Sequence, residues 1–156
     1  MTWILKKFDE LTLHELYAIL RLRNEVFVVE QNCVYQDLDN KDQLSYHLMG
    51  WSEDPQGRPA ETKNHLIAYT RLLPPGVSYA EASIGRVVTS AIQRRNGLGR
   101  ELMQESVRRL YDLFGKGPIR IGAQVYLLEF YSSLGFIQAS DIYDEDGIDH
   151  IEMLLS

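Results

Sequence analysis

The stretch Arg94-Arg95-Asn96-Gly97-Leu98-Gly99 lies between a strand-like segment, residues 84–89, and a long amphipathic segment that begins at its last residues. A glycine-rich turn from a strand into a helix exposes backbone N–H groups at the positive end of the helix dipole, and such a turn binds phosphate. Its glycines lack Cβ, so the backbone there can lie close to a ligand. We therefore expect a pyrophosphate-bearing ligand at this turn. The alternative is an ordinary loop and helix start with solvated arginines.

The spacing of this turn is R-x-x-G-x-G, which separates it from the common nucleotide loops. The chain contains no G-x-x-x-x-G-K-[ST] sequence, and the turn itself is not G-x-G-x-x-G. A P-loop or a Rossmann dinucleotide site is therefore not indicated.

Composition and charge limit the class of protein. The 156 residues are 45% hydrophobic and 24% charged, which predicts one globular domain over residues 1–156. The formal net charge of −6 argues against a nucleic-acid partner, which needs a basic surface. No apolar run approaches the roughly 18 residues of a membrane helix. The N-terminus has no secretory pattern and Cys33 is the one cysteine, so we expect a cytoplasmic location and no membrane association.

The predicted elements follow the order β-α-β-β-β-α-β-α-β-β, which indicates an α+β (mixed α/β) fold. Thr12 and Glu15 form a capping box at the start of the first helix, which ends between residues 23 and 31. The second helix runs over residues 98–114 and the third over 126–134. The predicted strands cover residues 2–8, 45–51, 65–73, 82–89, 119–123, 136–139 and 148–155.

Two local predictions bear on the site. Gly85, inside the fourth strand, indicates a bulge or the close approach of a ligand. The first helix is expected to bury one apolar stripe at helical spacing. That stripe consists of Leu13, Leu16, Tyr17, Leu20 and Phe27.

A second motif, Phe130-Tyr131-x-x-x-Gly135-Phe136, follows the glycine turn at the distance of one helix and one strand. Together the two motifs resemble the GCN5-related N-acetyltransferase (GNAT) superfamily. Residues 23–42, R-x-E-V-F-V-V-E-Q-x-C-x-Y-x-D-x-D-x-x-D, and residues 145–151 resemble its ElaA-like branch, although Asp149 stands where proline is expected. The resemblance covers essentially the whole chain. It implies a central mixed, mostly antiparallel sheet flanked by helices.

The resemblance also implies acetyl-CoA as cosubstrate, with its pantetheine arm paired to the backbone of the fourth strand and its pyrophosphate held by the glycine turn. The alternatives are an ordinary buried strand and, at Gln124, a solvated side chain. The residues implied for cofactor binding are Val87, Val88, Thr89, Arg94, Arg95, Asn96, Gly97, Leu98, Gly99, Arg100 and Gln124.

Tyr131 and His150 are the candidate catalytic residues. In the family, the residue at the position of Tyr131 is implied to protonate the leaving thiolate, and a phenol can do so when it points at the sulfur. By spacing alone, a tyrosine at this position is more often a packing residue than a catalytic one. His150 follows an acidic turn and is a candidate base or acceptor contact; it is otherwise an idle residue at a strand start.

The end of the first helix is implied to line the acceptor cleft, which makes Arg23, Glu25 and Glu30 candidate substrate contacts. The alternative is a solvated helix face. The acidic loop around residues 37–42 and the acidic turn at residues 144–146 would favour a cationic acceptor by electrostatic steering.

No metal site is expected. The four histidines stand far apart and there is one cysteine, so no zinc pattern arises. Asp37-x-Asp39-x-x-Asp42 resembles a calcium loop but lacks its glycine and its final glutamate. An inert thiol is the favoured interpretation of Cys33 over a nucleophile.

The sequence thus favours an enzyme that moves an acetyl group from acetyl-CoA to a primary amine of a small molecule or peptide. One alternative is a non-catalytic acyl-CoA-binding or sensor module, which could dispense with Tyr131. Another is a protein-interaction domain, which predicts no affinity for a cofactor. Association into a homodimer is left open.

Overall fold

The computed structural model describes residues 1–53, 65–91, 94 and 96–156. Within them lie three α-helices, α1 (Leu13–Arg23), α2 (Leu98–Phe114) and α3 (Leu128–Ser133), and a π-helical segment, Asn24–Glu30, that continues α1. The strands are β1 (Thr2–Lys7), β2 (Tyr46–Trp51), β3 (Leu66–Leu73), β4 (Ser83–Thr89), β5 (Ile119–Gln124), β6 (Ile137–Gln138), β7 (Tyr143–Glu145) and β8 (Ile148–Leu155).

The strands form two antiparallel half-sheets. The first has the order β1-β2-β3-β4; in the second, β8 pairs with β5 on one edge and with β6 and β7 on the other. A parallel bridge between Ala82 and Ile119 joins the half-sheets, and Arg120 N donates to Ala82 O at 3.0 Å. The predicted α+β class, with a mixed but mostly antiparallel sheet and flanking helices, is confirmed.

The short strand β7 was missed by the sequence prediction. It forms a hairpin with β8 through Asp146 and Gly147, whose φ angles are 54° and 81°. An Asp-Gly pair is the usual signal for a two-residue hairpin turn. Asp146-Gly147 could therefore have predicted this hairpin from the sequence.

The helices cover opposite faces of the first half-sheet. Ile19 and Leu22 of α1 pack on Met49, Tyr69 and Val88 on one face. On the other face, Leu98 and Leu102 of α2 pack on Leu48 and Ala68. A third cluster joins α2 and α3 to β4, β5 and β8. Residues along β5 alternate between the two faces of the sheet. The side chains of Arg120 and Gln124 therefore point away from the third cluster, toward the side of the sheet on which α1 lies, and Gly122 is on the same face.

The predicted capping box of α1 is confirmed: Glu15 N donates to Thr12 Oγ1 at 3.1 Å, and Thr12 N donates to Glu15 Oε1 at 2.8 Å. The predicted apolar stripe is wrong. Leu13 and Tyr17 are 83% and 71% exposed. The buried face instead carries Ala18, Ile19 and Leu22 together with the polar residues Glu15 and Arg23. Glu15 and Arg23 have charged partners in the interior. A prediction that places only apolar residues inside therefore selects the wrong face of α1.

The predicted bounds of α2 are confirmed. Gly97 precedes the helix with φ 74°, and Gly115 follows it with φ 83°. The bulge expected near Gly85 is also present. Residues 86 and 87 of β4 together oppose one residue of β3, because the register moves from Arg71–Gly85 to Tyr69–Val88. The bulge lies one residue beyond the glycine, at Arg86, whose φ is 50°.

Candidate active site

A cleft begins where β4 and β5 diverge. The two strands touch at the Ala82–Ile119 bridge, and beyond it the described residues form no further pairing between them. Ala68–Thr89 and Tyr69–Val88 are β3–β4 pairs, so one edge of β4 is bonded to β3 and the other faces the gap. An unpaired strand edge presents backbone N–H and C=O groups to an extended ligand.

The glycine turn lies just after this strand end. Gly97 occupies the N-cap position of α2 and no side chain caps the helix there. The first N–H groups of an α-helix have no partner within the helix, so this start presents free donors and the positive end of a dipole. A Cβ on Gly97 would meet nothing within 4 Å, so the space beside the turn is open. Arg95 lies outside the described residues.

Arg94 does not point freely into this space. It pairs with Glu30 through two contacts, one of them Nη2 to Oε2 at 2.7 Å, and Nη2 donates to Thr89 O at 3.2 Å. The hydrogen bond from Arg94 lowers the pKa of Glu30, and the same bond raises the pKa of Arg94. Glu30 thus lies beside the glycine turn, in contact with a candidate cofactor residue.

Tyr131 lies between the diverging strands. It belongs to the apolar cluster that contains Ile84 of β4 and Ala123 of β5, and its ring stacks on Phe130 with centroids 5.1 Å apart. Phe130 in turn lies 3.8 Å from the Cβ that Gly99 would carry. Arg100 Nη2 donates to Ser133 Oγ at 2.6 Å, which also ties α3 to the start of α2.

The side chain of Tyr131 is 6% exposed. Burial, with a smaller contribution from Tyr126, raises the pKa of Tyr131 to about 12. The phenol is therefore protonated at neutral pH and has a proton to give. The ring is a core residue at the same time, so packing and chemistry are compatible at this position.

His150 and Gln124 are register partners at the open end of β5. His150 Nδ1 donates to Ile148 O at 2.8 Å, so Nε2, which lies 3.3 Å from a Glu145 carboxylate oxygen, is the nitrogen free to exchange a proton. The Gln124 side-chain amide contacts that of Gln31 at 3.4 Å. Gln31 directly follows the π-helical segment, which therefore overhangs this end of the cleft.

A polar face continues from His150 across the second half-sheet. Tyr143 stacks on the His150 ring at 5.9 Å. Its hydroxyl and that of Tyr79 lie 3.0 and 3.1 Å from the Cβ that Gly122 would carry. Burial and nearby carboxylates raise the pKa of both phenols, with Glu145 and Glu152 contributing in each case. Tyr79 is a residue that sequence reasoning missed, since it lies in an irregular segment.

Arg23 is not at the cleft surface. Its side chain is fully buried, Nε donates to Asp37 Oδ2 at 3.0 Å and Nη1 donates to Asp42 Oδ1 at 2.7 Å. Burial opposes its charge, but Tyr69 and these carboxylates outweigh burial and raise its pKa. The Arg23 side chain thus binds two carboxylates of the protein and does not face the cleft where an acceptor contact was expected. Glu25 is exposed on the π-helical segment.

The acidic loop does not supply the free negative charge that the sequence suggested. Each of its carboxylates is paired with at least one arginine within 3.3 Å. The ion cluster consists of Arg23, Arg71 and Arg86 with Asp37, Asp39 and Asp42. Sequence reasoning missed Arg71 and Arg86 because nothing in the spacing of three distant arginines shows that they converge.

Cys33 is buried, and its Sγ lies 3.4 Å from the Asp146 carbonyl oxygen. Among the described residues, no group of three or more His, Cys, Asp or Glu is arranged to hold a metal ion. None of the described helices has both the length and the apolar character of a membrane span.

Comparison with known proteins places these features in a family. The profile of the Acetyltransferase (GNAT) domain matches residues 25–156. The chain is 40% identical to protein ElaA of Escherichia coli over 147 residues, which is 93% of this chain and 90% of ElaA.

Solved structures agree. An acyl-CoA N-acyltransferase from Pseudomonas aeruginosa is 39% identical, superposes with a TM-score of 0.88, and both chains are covered completely. The crystal structure of Escherichia coli ElaA gives 36% identity and a TM-score of 0.86, again over all of both chains. At the level of fold alone, an aminoglycoside 6′-N-acetyltransferase complexed with coenzyme A has a TM-score of 0.66 at 14% identity, over 97% of this chain and 95% of that one. A splayed sheet, a glycine turn at the start of α2 and these matches together show that the chain belongs to the GNAT acetyltransferases and is a relative of ElaA.

Proposed function

We propose that this protein transfers an acetyl group from acetyl-CoA to the primary amine of a cationic small molecule or peptide. The observation that carries the proposal is the uncapped, glycine-lined start of α2 beside the free edge of β4. That start fits a pyrophosphate, because its amides lack partners and Gly97 leaves open space beside them. The aminoglycoside acetyltransferase that shares the fold was solved with coenzyme A bound.

The amides at the start of α2 would bind the pyrophosphate, with Arg100 beside them; Arg94, which is paired with Glu30, would have to leave that carboxylate to contribute its charge. Arg95 stays a proposed contact. The free edge of β4 at Val87, Val88 and Thr89 would pair with the pantetheine arm, and its N–H groups would polarise the thioester carbonyl as an oxyanion hole does. Acetyl-CoA supplies the activated acyl group.

Different residues would carry out the two proton transfers, one from the amine and one to the thiolate. The acceptor nitrogen must lose a proton before it attacks, since primary amines have pKa values near 10 and are mostly charged at neutral pH. His150 Nε2 would take that proton once it leaves its contact with Glu145, which lies 3.3 Å away. When the C–S bond breaks and the C–N bond forms, Tyr131 gives its phenolic proton to the thiolate and regains one from solvent. Glu30 is engaged by Arg94, which leaves it a poor base.

The polar face beside His150 is where we place the acceptor. The rings of Tyr79 and Tyr143 would offer cation–π contacts to an ammonium group, and the exposed carboxylate of Glu145 would offer an ionic contact. The Tyr79 and Tyr143 hydroxyls lie 3.1 and 3.0 Å from the Cβ that Gly122 would carry, so the absence of a side chain there lets both phenols lie close to the strand. A cationic acceptor is therefore supported by this face. It is not supported by the loop at residues 37–42, because arginines neutralise the carboxylates of that loop.

The first test is binding. Acetyl-CoA at millimolar concentration should raise the melting temperature of the wild type, because a ligand of the native state stabilises it. Gly97→Val should abolish the shift, since a branched side chain intrudes beside the amides and resists the left-handed backbone. Gly115→Val is the matched control: it has φ 83° and open space at the other end of α2. Loss of the shift in both variants, or in neither, would count against this turn as the site.

The second test is turnover. Tyr131→Phe keeps the ring and removes the hydroxyl, so acetyl-CoA affinity should stay within about threefold while kcat and kcat/KM fall roughly 10²–10⁴-fold. Tyr126→Phe, on a side chain that is 71% exposed, is the control and should retain activity. The rates need an acceptor from an amine screen with thiol detection. Tight acetyl-CoA binding without turnover of any amine would favour a sensor module.

A further inference from the structure

The β4 bulge has an unusual backbone. Residues 86 and 87 oppose a single residue of β3, and Arg86 has φ 50°. The left-handed region is sterically disfavoured for a residue that carries a Cβ, and a strand of this kind favours extended angles. Something other than the local preference of Arg86 must therefore hold the bulge in place.

The side chain of Arg86 is held at three points on a neighbouring loop. Its Nε donates to Asp37 Oδ1 at 2.8 Å, and its Nη2 donates to Asp37 O at 2.8 Å and to Asp39 Oδ2 at 3.3 Å. The guanidinium also lies over the Tyr35 ring, 6.0 Å from its centroid. A planar fork with several fixed contacts restricts both position and orientation.

Asp37 is itself fixed from the opposite side. Its Oδ2 accepts from Arg23 Nε at 3.0 Å, and its Oδ1 accepts from the Tyr35 hydroxyl at 2.9 Å. Arg23 belongs to α1 and is fully buried. The anchor of Arg86 therefore belongs to the loop that follows α1 and its π-helical segment, and this loop is held in turn by a buried arginine of α1.

The bulge decides which groups β4 presents to the cleft. Without the extra residue, the pairing of Val87, Val88 and Thr89 would slip by one position, and a slip of one residue turns side chains to the opposite face of a sheet. Val88 is 3% exposed and packs with α1, whereas Val87 packs with the α2 and α3 clusters. The backbone N–H groups between them depend on the same geometry.

We propose that Arg86, clamped on Asp37, is a positioning residue for acyl transfer: it fixes the β4 bulge and thereby aims the backbone N–H groups of β4 into the cleft. The functional half of this inference rests on the proposed function, in which those groups polarise the thioester carbonyl. An ion cluster that only stabilises the fold would lack this effect. The two roles differ in what they predict for variants within the same cluster.

Arg86→Gly is the decisive variant, because glycine accepts a φ of 50°, so the variant can still fold, but it has no side chain to hold the bulge in a single geometry. Arg71→Gln is the matched control. Arg71 belongs to the same cluster, binding Asp39 at 2.7 and 2.8 Å and Asp42 at 3.0 Å, but it lies on β3, opposite Gly85, and is not one of the two bulged residues. Tyr35→Phe is the mild variant if Arg86→Gly does not fold, since it removes one bond to Asp37.

Amide hydrogen exchange in the ligand-free protein tests the positioning alone. In Arg86→Gly the amides of Val88 and Ser90, which face β3, should exchange roughly tenfold faster relative to those of residues 47–49 in β2, because a released bulge opens locally; Ser90 N donates to Ile67 O at 2.8 Å. Tyr35→Phe should give a smaller change of the same kind, and Arg71→Gln should not single out these two amides. Unchanged relative exchange in Arg86→Gly overturns the inference, whether or not the protein binds acetyl-CoA.

Kinetics test the consequence for the reaction. Arg86→Gly should lower kcat about 10- to 100-fold, as misplacement of a preorganised group does, while the KM for acetyl-CoA stays within about threefold. Arg86→Lys, which keeps the charge and one donor group, should restore part of the rate. A loss of kcat that is equal in Arg86→Gly and Arg71→Gln would reduce the cluster to a stabilising role. Failure of the wild type to bind acetyl-CoA would instead defeat the proposed function and leave the exchange result standing.

Discussion

Two acidic segments that look alike in the sequence, residues 37–42 and residues 144–146, have opposite environments in the structure. The first is enclosed by three arginines and contributes no free charge to the cleft. The second is an exposed hairpin turn beside His150. The difference teaches that acidic residues can attract a cationic ligand only where the fold does not already pair them with arginines. In this protein the first segment ties α1, β3 and β4 together, and the second faces the solvent.

The largest effect is expected from breaking the first segment. Arg23→Met removes a fully buried guanidinium and leaves Asp37 and Asp42 short of their partner. Loss of one member of a buried ion pair costs about 3–5 kcal/mol, so the free energy of unfolding in urea should fall by that amount. Arg21→Met, an exposed position on the same helix, is the control and should change little. An Arg23→Met protein of wild-type stability would show that the cluster contributes nothing to folding.

Acid should sharpen the comparison through His47. Burial lowers its pKa from 6.5, and the neutral ring accepts from Tyr69 Oη at 2.7 Å and donates to Asp42 O at 2.9 Å. The unfolded chain binds the proton more readily, so stability is complete above pH 6.5 and falls as the pH drops below that value. His47→Gln should remove this slope between pH 7 and 5 in urea titrations. A slope that survives in the variant would assign the titration elsewhere.

A second acid step should follow at lower pH. Burial works against the charges of Asp39 and Asp42, but the hydrogen bonds from Arg71 and Arg23 outweigh it and lower both pKa values below 3.8. The stability that these carboxylates add is therefore present above pH 3.8 and is lost as the pH falls further. This step should remain in His47→Gln, which separates the two contributions in one experiment.

The smallest effect concerns the exposed segment. Glu145→Gln should leave the urea midpoint unchanged and raise the KM for a linear diamine by roughly threefold at low salt, because one steering charge is lost. At about 0.5 M salt the difference should vanish, since exposed charges are screened. Asp112→Asn, on the far helix α2, is the charge-matched control. A change of KM that persists at about 0.5 M salt would contradict an exposed ionic role for Glu145.

Much of this fold is encoded in local signals. The glycines on either side of α2 and the capping box of α1 are short-range devices, and both marked their helices correctly. The face of α1 could not be derived in the same way. Its buried polar residues, Glu15 and Arg23, are compensated by Lys6 and by the acidic loop, and such partners become visible only once the strands are placed.

In the candidate site, too, local motifs could be predicted from the sequence and long-range contacts could not. The glycine turn and the Tyr131 segment are contiguous motifs, so they were accessible from the chain. The ion cluster draws on α1, a loop, β3 and β4, and no spacing rule links positions so far apart. The bulge was indicated by Gly85, but its actual residue, Arg86, depends on a contact with Asp37 that the sequence does not reveal.

The π-helical segment Asn24–Glu30 makes the length of the chain critical at this point. Gln31 N donates to Val26 O and Cys33 N donates to Val28 O, each at 3.1 Å and five residues back. A single-residue deletion would let the segment relax into an α-helix and would rotate the residues after the deletion by about 100° around the helix axis. Glu30 would then swing away from Arg94, and Gln31 from Gln124. The contacts of Glu30 and Gln31 therefore depend on the exact number of residues in this segment, and insertions or deletions here should be far less tolerated than substitutions.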